Sequence, residues 1–554
     1  MEQIIACAGS NDTRLPARIR RATCFGTSLQ TFSMQWVQSA AVMLALCSTA
    51  STASAQIAAP ASALAGAAET VPAGHAAPSL PAAPAASAAA QAVENPVSPA
   101  ALAQRDATAP LLPALGGDSD WNPIGPKKDY LLPALEIIGF DTVLNRVDHA
   151  LIKNTTDYNV SVGSWRRNLR SSWVIDSDPF STNQFAHPYQ GAMYHGFARS
   201  AGMNYWEAAA YTFAGSAFWE IFGEITPPSR NDQIASGVAG SFLGESLFRM
   251  ASLVLEKESQ MSPFWREASA AAISPPTGFN RVAFGKRFDA VFSSHNPAYY
   301  GRLQLGAVGT GQNAPGLSTS LKRNEFQANF ALDYGLPGKD GYDYTRPFDY
   351  FNFEVGASSA NGVESIFNRG LLTGRKYEAG KDYRGIWGLY GSYDYLAPQL
   401  FRVSSTALSL GTTGQWWATK RIALQGTGMF GVGYAAAGTV HTAGARDYNY
   451  GLAPQALLTL RAVFDERAAL ALNAREYYVS RVAAAQAGGH ENITRADASL
   501  TYRVKNQHAV AFKYTWTRRD AASVAAGDQT QRRGTIGIYY TLLGKDGFGT
   551  VDWR

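Results

Sequence analysis

Alternation of apolar and polar residues dominates the C-terminal half of the chain. Apolar side chains recur at every second position, for example from Phe326 to Leu332 and from Val510 to Trp516. This period predicts β-strands that have one apolar and one polar face. About twelve such segments follow one another, and they lie near residues 299–310, 320–335, 348–360, 367–378, 383–396, 400–411, 419–434, 450–464, 467–479, 493–504, 507–518 and 532–543.

A soluble sandwich and a transmembrane barrel both fit this alternation, and three features favour the barrel. The segments contain roughly 9–13 residues, the length that a tilted strand needs to cross a bilayer. Aromatic pairs stand near segment ends, as in the interface girdles of membrane barrels, and they are Tyr299-Tyr300, Trp416-Trp417, Tyr477-Tyr478 and Tyr539-Tyr540. The polar face also carries basic residues, which a wet lumen tolerates; these are Arg302, Arg461, Arg475, Arg503 and Lys513.

Two details depart from the simple barrel pattern. Glu476 has the same parity as Leu470 and Leu472, so we expect that strand to end or to bulge near Glu476. An additional tail, Gly544 to Arg554, follows the last segment, whereas many barrels end on an aromatic residue of their final strand.

A helical hairpin is predicted between residues 185 and 258. A helical pattern runs from about Tyr205 to Phe222, ends at Pro227-Pro228 and resumes from about Asp232 to Glu258. Residues suited to capping stand at both starts, namely Asn204 with Glu207 and Asn231 with Asp232.

The second helix is long enough to cross a membrane, but its charges argue against a span. Ile234–Leu255 contains nine Leu, Ile, Phe or Val residues, which favour insertion by about 3 to 5 kcal/mol. Glu245 and Arg249 near its middle cost about 5 to 7 kcal/mol if they are unpaired. We therefore expect a packed hairpin that does not span the membrane, in which small residues allow close approach, namely Gly237, Gly240 and Gly244.

The N-terminal region predicts export. Arginines between residues 14 and 21 precede an apolar run from Ala40 to Leu46, and Ala53-Ser54-Ala55 suits signal-peptide cleavage. All 3 cysteines of the chain lie in this segment, so the mature protein is expected to have no disulfide and no cysteine metal site. Residues 56–119 are rich in Ala and Pro, which predicts a disordered linker.

Composition excludes two broad classes. Aromatic residues make up 12% of the 554 residues, too many for a disordered chain. The formal charge of +5 is spread over 48 basic and 43 acidic residues and does not indicate binding to nucleic acid.

Polar residues are concentrated on the apolar frame of the hairpin. Glu220 and Glu224 lie one helical turn apart and project from one side of the first helix. Two close carboxylates in a low dielectric raise at least one pKa, which suits general acid–base chemistry. Their candidate partners are His187, His195, Asp232, Glu245 and Arg249. The competing interpretation is a buried salt-bridge network, in which the acids pair with Arg199, Arg230 and Arg249.

We predict no metal site and no cofactor. Glu-x-x-His, His-Glu-x-x-His, Gly-x-Ser-x-Gly and phosphate-loop motifs are absent from the sequence. The pair His187-Pro188 predicts a turn in which His187 is extended, because the residue before a proline avoids the α conformation.

The same stretch of sequence resembles a known family. Its motifs are H-P-Y-x-G at His187, A-R-S-x-G at Ala198, W-E-x-x-x-E at Trp219, N-D at Asn231 and G-E-x-x-x-R at Gly244. From Phe185 to Met250 the chain resembles the proteobacterial domain of unknown function 3943. The resemblance implies an outer-membrane or periplasmic protein with a following β-rich region, and it assigns no activity and no role to any residue.

Together these features predict an α+β chain. Its parts are a signal peptide (1–55), a disordered Ala/Pro-rich linker (56–119), a helical module (120–275) and an antiparallel transmembrane β-barrel of about 12 strands (276–554). We expect the protein to reach the cell outer membrane through the periplasm and to contact outer-membrane lipid.

Three functions fit the sequence. The first is a non-enzymatic barrel with a pore, transport or envelope structural role, whose helical hairpin plugs the barrel or caps its periplasmic mouth. The second is an outer-membrane hydrolase that modifies lipid or lipopolysaccharide through the buried carboxylate and histidine residues. The third is a module that binds a periplasmic partner through the linker.

Overall fold

The computed structural model describes most of the chain after residue 120. The described residues are 121–122, 128–151, 156–176, 178–256, 261–313, 321–398, 400–439, 448–480, 489–523 and 528–553. The predicted signal peptide and linker lie outside the described residues. The described part contains a helical module followed by a closed β-barrel.

Seven helices form the module in the described part of the chain. They are α1 (Leu131–Leu151), α2 (Val162–Asn168), α3 (His187–Ser200, preceded by the π-helical turn Thr182–Ala186), α4 (Tyr205–Phe218, continued by the π-helical turn Trp219–Gly223), α5 (Arg230–Glu256, with a π-helical turn at Ala235–Ala239), α6 (Pro263–Ile273) and α7 (Pro275–Phe284). A short 3₁₀ turn, Gly285–Phe288, follows, and Val291–Phe292 then pairs with Trp121–Asn122.

The two predicted helix starts have different outcomes. Asn204 and Glu207 form a complete capping box at the start of α4, as their spacing predicts. At α5 the cap is Ser229, whose hydroxyl accepts the Asp232 N–H. The prediction that Asn231 or Asp232 caps this helix is wrong, because the extended backbone of a cap residue occurs at Ser229 and α5 already begins at Arg230.

Twelve antiparallel strands close into a barrel, which confirms the predicted fold class. They are β1 (Tyr299–Asn313), β2 (Leu321–Tyr334), β3 (Phe351–Ser358), β4 (Gly362–Ala379), β5 (Tyr383–Leu396), β6 (Phe401–Trp417), β7 (Ile422–Thr439), β8 (Tyr448–Phe464), β9 (Ala468–Ser480), β10 (Gly489–Lys505), β11 (His508–Ser523) and β12 (Gln529–Leu543). Each strand pairs with the next, and β12 pairs with β1. Closure leaves no edge strand unpaired.

The alternation predicts which side chains face inward. On β6, Leu410 is 65% exposed on the outer wall, whereas Gln415 is 1% exposed and faces the lumen. The five predicted basic residues all point inward. Arg503 packs over the ring of Phe548, and the others line an internal cavity, namely Arg302, Arg461, Arg475 and Lys513.

Strand β9 continues through Glu476 without a break, so the predicted end or bulge is wrong. Glu476 pairs with Thr494 in an uninterrupted register. The same row continues across the neighbouring strands through Arg518 and Arg532. This row is polar on the outer surface, so Glu476 lies beyond the apolar band and needs no local distortion to avoid it.

The helical module packs against the outer wall of the barrel. On β5, Trp387 is 53% exposed on the outer wall, so the odd-numbered residues of this strand point outward. On the same face a Cβ at Gly391 would lie 2.5 Å from the ring of Phe242 in α5, and the Tyr393 hydroxyl donates to the Gln184 carbonyl (2.6 Å). The helices therefore lie outside the lumen. The prediction that they plug the barrel or cap its mouth is wrong, because their contact surface is formed by outward-facing glycine and aromatic residues.

Helix α5 is the central element of this contact. By length and composition it could cross a membrane, and 89% of its most apolar 18-residue stretch is buried. The expected close packing at its glycines is confirmed: a Cβ at Gly240 would lie 2.6 Å from the Cα of Gly191, and one at Gly244 would lie 2.7 Å from the Cβ of His195. Helices α3 and α5 thus cross with almost no side chain between them.

The C-terminal tail, residues 544–553, enters the lumen. Gln415 Nε2 and Trp417 Nε1 both donate to the Val551 carbonyl, at 2.6 and 3.0 Å. Gln425 Nε2 donates to the Gly549 carbonyl at 2.9 Å, and Phe548 is fully buried. The tail closes the end of the barrel at which β1 starts and β12 finishes.

Candidate functional site

The seven predicted site residues fall into two clusters. His187, Glu220 and Asp232 meet at the start of α5, with Glu224 beside them; we call this the acid–histidine cluster. The other three meet further along α5, in what we call the arginine cluster, and they are His195, Glu245 and Arg249. Asp232 and Glu245 are about 20 Å apart along the helix axis. They therefore belong to two sites and not to one.

Three helices supply the acid–histidine cluster. His187 is the first residue of α3, Glu220 lies in the π-helical turn that ends α4, and Asp232 lies in the first turn of α5. The predicted turn at His187 is wrong, since its φ and ψ of −62° and −46° are helical. Pro188 cannot donate a hydrogen bond to the carbonyl four residues earlier, and the barrel hydroxyl of Tyr393 donates to that carbonyl instead.

The geometry of the cluster is compact. One ligand-capable atom from each of His187, Glu220 and Asp232 lies within 4.8 Å of the other two. These side chains are 5%, 3% and 2% exposed. His187 Nε2 stands 3.8 Å from Asp232 Oδ1, and Glu220 Oε2 accepts the N–H of Ser229 at 2.7 Å.

The electrostatics favour protonation or a bound cation. Burial, and then the charges of Asp232 and Glu224, raise the pKa of Glu220 well above its ordinary value. Burial raises the pKa of Glu224 to about 7, although His187 opposes the shift. Within the described residues, no lysine or arginine forms an ion pair with Glu220, Glu224 or Asp232. The predicted salt-bridge network therefore does not include these acids.

Sequence reasoning missed a second layer of residues around the cluster. Asn231 Nδ2 donates to Asp176 Oδ1 (2.5 Å) and to the Tyr450 hydroxyl (2.9 Å). Asn183 Nδ2 donates to Asp176 (2.6 Å) and to the Tyr448 hydroxyl (3.0 Å). Both tyrosines belong to β8, more than two hundred positions further along the chain, so no local signal in the sequence could connect them. They fix the cluster to the barrel wall.

The arginine cluster is the salt-bridge network that the sequence offered as an alternative. Glu245 accepts hydrogen bonds from Arg199 Nε (2.7 Å) and Arg249 Nε (2.8 Å), and it lies 3.1 Å from His195 Nε2. Arg249 Nη1 also donates to Asp349 in the loop between β2 and β3 (2.9 Å). Burial lowers the pKa of His195, and Glu245 opposes that shift. This cluster joins α3, α5 and a barrel loop through buried ion pairs.

The lumen contains a third set of polar residues. Its cavity has a volume of about 100 Å³. The charged residues that line it are Arg302, Arg369, Arg461, Arg475 and Lys513 on the basic side and Asp333, Glu354 and Asp497 on the acidic side. Arg475 stacks 3.5 Å above the ring of Phe367. Among the described residues, Arg475 and the nearby Arg495 have no carboxylate within ion-pair distance, and the Nε of each lacks a hydrogen-bond acceptor.

The helical region matches the model of a known domain family. The family model of the domain of unknown function 3943 matches residues 172–276, which confirms the resemblance and extends it on both sides. No curated protein matches the chain in sequence.

Several solved outer-membrane proteins match part of the chain. The NanC porin is 8% identical with a TM-score of 0.22, covering 43% of this chain and 98% of the porin. The toluene transporter TodX of Pseudomonas putida is 13% identical with a TM-score of 0.18, covering 46% and 91%. The translocator domain of autotransporter NalP from Neisseria meningitidis is 14% identical with a TM-score of 0.21, covering 44% and 89%.

Proposed function

We propose that the protein is an outer-membrane channel for small anionic solutes, in which the C-terminal tail closes the lumen. Its location follows from the outer wall, where large apolar side chains such as Leu500, Phe512 and Ile536 are about half or more exposed. A closed barrel with this surface is stable only in a bilayer. The helical module also exposes apolar side chains along α1, for example Leu131 and Leu135, and we place it against outer-membrane lipid.

The single observation that carries the anion preference is the uncompensated charge of Arg475 and Arg495. Each guanidinium lies near the ring of Phe367 and lacks an ion-pair partner among the described residues. The neighbouring carboxylate of Glu354 is already shared by Arg302 and Lys513, at 3.9 Å from each. An anion in the lumen would supply the missing counter-charge, and a wall of low dielectric strengthens that attraction.

Both ends of the lumen are constricted. At one end the tail is held by Gln415 and Gln425. At the other end Arg533 Nη1 donates to the Pro398 carbonyl (3.0 Å), so the turn between β5 and β6 reaches across the mouth to β12. We therefore expect this state to conduct poorly and the tail to be the element that opens.

Planar-bilayer recording tests the channel. Deleting residues 544–554 should raise conductance severalfold above that of the full chain, and the reversal potential in a KCl gradient should indicate anion preference. The double variant Arg475→Gln/Arg495→Gln in the deletion background should lose that preference. The matched control is Arg421→Gln, because Arg421 is 81% exposed on a turn outside the lumen.

Two results would overturn the proposal. One is a tail deletion that keeps the heat-modifiable mobility of a folded barrel but conducts no better than lipid alone. The other is cation preference, or a preference that the arginine double variant leaves unchanged.

A lipid-modifying hydrolase is the second candidate function, and the position of the acid–histidine cluster outside the lumen favours it. The acid–histidine cluster lies in the module outside the lumen, and burial raises the pKa of Glu220, which favours the protonated form that a general acid needs. Mass spectrometry of co-purified lipid tests this function, with wild type beside Glu220→Gln. A product that is present only with wild type supports the enzyme, whereas identical lipids with two equally folded proteins exclude it. The periplasmic partner that the linker suggests stays a prediction.

A further inference from the structure

We propose that the helical module binds one divalent first-row transition-metal ion between His187, Glu220 and Asp232. These residues come from α3, α4 and α5, and one ligand-capable atom of each lies within 4.8 Å of the others. The site is outside the lumen, so it is independent of the proposed channel.

The first argument is that a ring nitrogen of His187 lacks a hydrogen-bond partner. Its side chain is 5% exposed, yet Nε2 has no hydrogen-bond partner among the described residues: Asp232 Oδ1 is 3.8 Å away, and a hydrogen bond requires about 3.2 Å or less. Two ligands of one metal ion can stand up to about 4.2 Å apart, since metal–nitrogen and metal–oxygen bonds are each about 2.1 Å long. The spacing is too long for a hydrogen bond and suits a shared ion.

The second argument is that the carboxylates of Glu220 and Asp232 accept few hydrogen bonds. One oxygen of Glu220 accepts the Ser229 N–H (2.7 Å), and one oxygen of Asp232 accepts the Asn231 amide (3.1 Å). Among the described residues, Glu220 Oε1 has no hydrogen-bond donor, whereas Asp232 Oδ1, the oxygen 3.8 Å from His187 Nε2, is the one that accepts the Asn231 amide. Glu224 differs, because its two oxygens accept from the Trp219 indole and the Thr226 hydroxyl, at 2.7 and 2.9 Å. Glu224 is therefore not a ligand.

The third argument is the surrounding charge. Asp176 adds a further carboxylate beside the cluster, bound by the amides of Asn183 and Asn231. No arginine or lysine among the described residues pairs with Glu220 or Asp232. Buried carboxylates need either protons or a cation, and a divalent ion would neutralise both ligands at once.

The donor set selects the class of ion. One imidazole and two carboxylates suit Zn²⁺, Mn²⁺ or Fe²⁺, whereas Ca²⁺ and Mg²⁺ prefer oxygen alone. Three protein ligands also leave a position for water. Ser236 Oγ stands 3.5 Å from His187 Nδ1, the ring nitrogen that would not bind the ion.

Metal titration of the full chain in detergent tests the site. After treatment with EDTA, we expect one Co²⁺ to bind per chain with visible d–d absorption, Zn²⁺ to displace it, and the helical module to unfold at a higher temperature with metal. His187→Gln and Asp232→Asn should each weaken Co²⁺ binding about tenfold or more. The matched control is His149→Gln, because His149 is an exposed histidine of α1, and it should bind Co²⁺ as wild type does.

Three outcomes overturn the proposal. They are the absence of saturable Co²⁺, Zn²⁺ or Mn²⁺ binding, binding that the His187 and Asp232 variants leave unchanged, and equal loss in the His149 control. If a variant fails to fold, a spectroscopic measurement on the wild-type protein still tests whether a histidine binds the ion. Electron spin-echo envelope modulation of bound Mn²⁺ must show one imidazole nitrogen; bound Mn²⁺ without that signal lies elsewhere, which overturns the proposal.

Discussion

Replacing Glu245 with glutamine should release the helical module from the barrel wall. Glu245 is fully buried and accepts hydrogen bonds from Arg199 and Arg249. The substitution keeps the volume of the side chain but removes its charge. Arg199 would then lose its ion-pair partner, and Arg249 would keep only Asp349, which already pairs with Arg346 at 3.0 Å.

The cost of the substitution follows from the complete burial of Glu245. Removing one partner from a buried ion pair costs about 3 to 5 kcal/mol, because the remaining charge stays buried. At about 1.4 kcal/mol per factor of ten, opening of α5 should become about two to three and a half orders of magnitude more frequent. An exposed ion pair contributes only about 0 to 1 kcal/mol. Glu378→Gln is therefore the matched control, because Glu378 is 64% exposed beside Arg384.

Hydrogen exchange of the full chain in detergent measures the opening. Peptides from Arg230–Glu256 should lose protection in Glu245→Gln and keep it in Glu378→Gln. Peptides from the barrel strands should stay protected, and the heat-modifiable mobility of the barrel should be unchanged. The reasoning is refuted if α5 keeps wild-type protection in Glu245→Gln, or if the barrel opens together with the helix.

Three further predictions follow from the outer wall and the acid–histidine cluster. Gly391→Val should weaken the contact between module and barrel by about 1 to 3 kcal/mol, because a Cβ at Gly391 would lie 2.5 Å from the Phe242 ring of α5. Hydrogen exchange in α5 should therefore rise. The control is Gly428→Val, where a Cβ would have no heavy atom within 4 Å, and it should leave the exchange of α5 unchanged. Burial raises the pKa of Glu224 from 4.5 to about 7, so Glu224 stabilises the module most below pH 4.5, and this stability is lost as the pH rises through 7. Denaturant unfolding followed by helical circular dichroism should show a loss of stability over this range. Glu224→Gln should reduce the loss but not remove it, because burial also raises the pKa of Glu136 and Asp141 to about 8. Leu472→Arg, in the apolar band, should cost the barrel about 2 to 4 kcal/mol in folding titrations into lipid, whereas Glu476→Arg, in the polar row, should cost less than about 1 kcal/mol.

Local periodicity explains why the strands could be predicted. A side chain on a strand takes its face from its parity alone, so the inward positions of Arg461 and Lys513 follow from counting residues. Glu476 was mispredicted because parity does not report height along the barrel. Its height became visible only through its register with Thr494 and Arg518.

The candidate residues illustrate a different limit. Helical spacing correctly brought Glu245 and Arg249 together, since they are four positions apart on one helix. The same spacing suggested that Glu220 and Glu224 form one pair, whereas the structure bonds Glu224 to Trp219 and brings Glu220 to His187 and Asp232. The π-helical turn at the end of α4 changes the phase of the helix there, and its position is not encoded in the hydrophobic pattern.

The sequence by itself determined the twelve strands, their inner and outer faces, the hairpin helices α4 and α5 and the capping box of α4, because each depends on residues that are close along the chain. Only the tertiary structure decided that the helices lie outside the lumen, that the candidate residues divide into two clusters, and that the C-terminal tail enters the barrel. Those outcomes depend on contacts such as Tyr393 with Gln184 and Gln415 with Val551, which join residues more than one hundred positions apart. Such contacts arise from the fit of two finished surfaces, and a periodic pattern within one segment does not specify its partner.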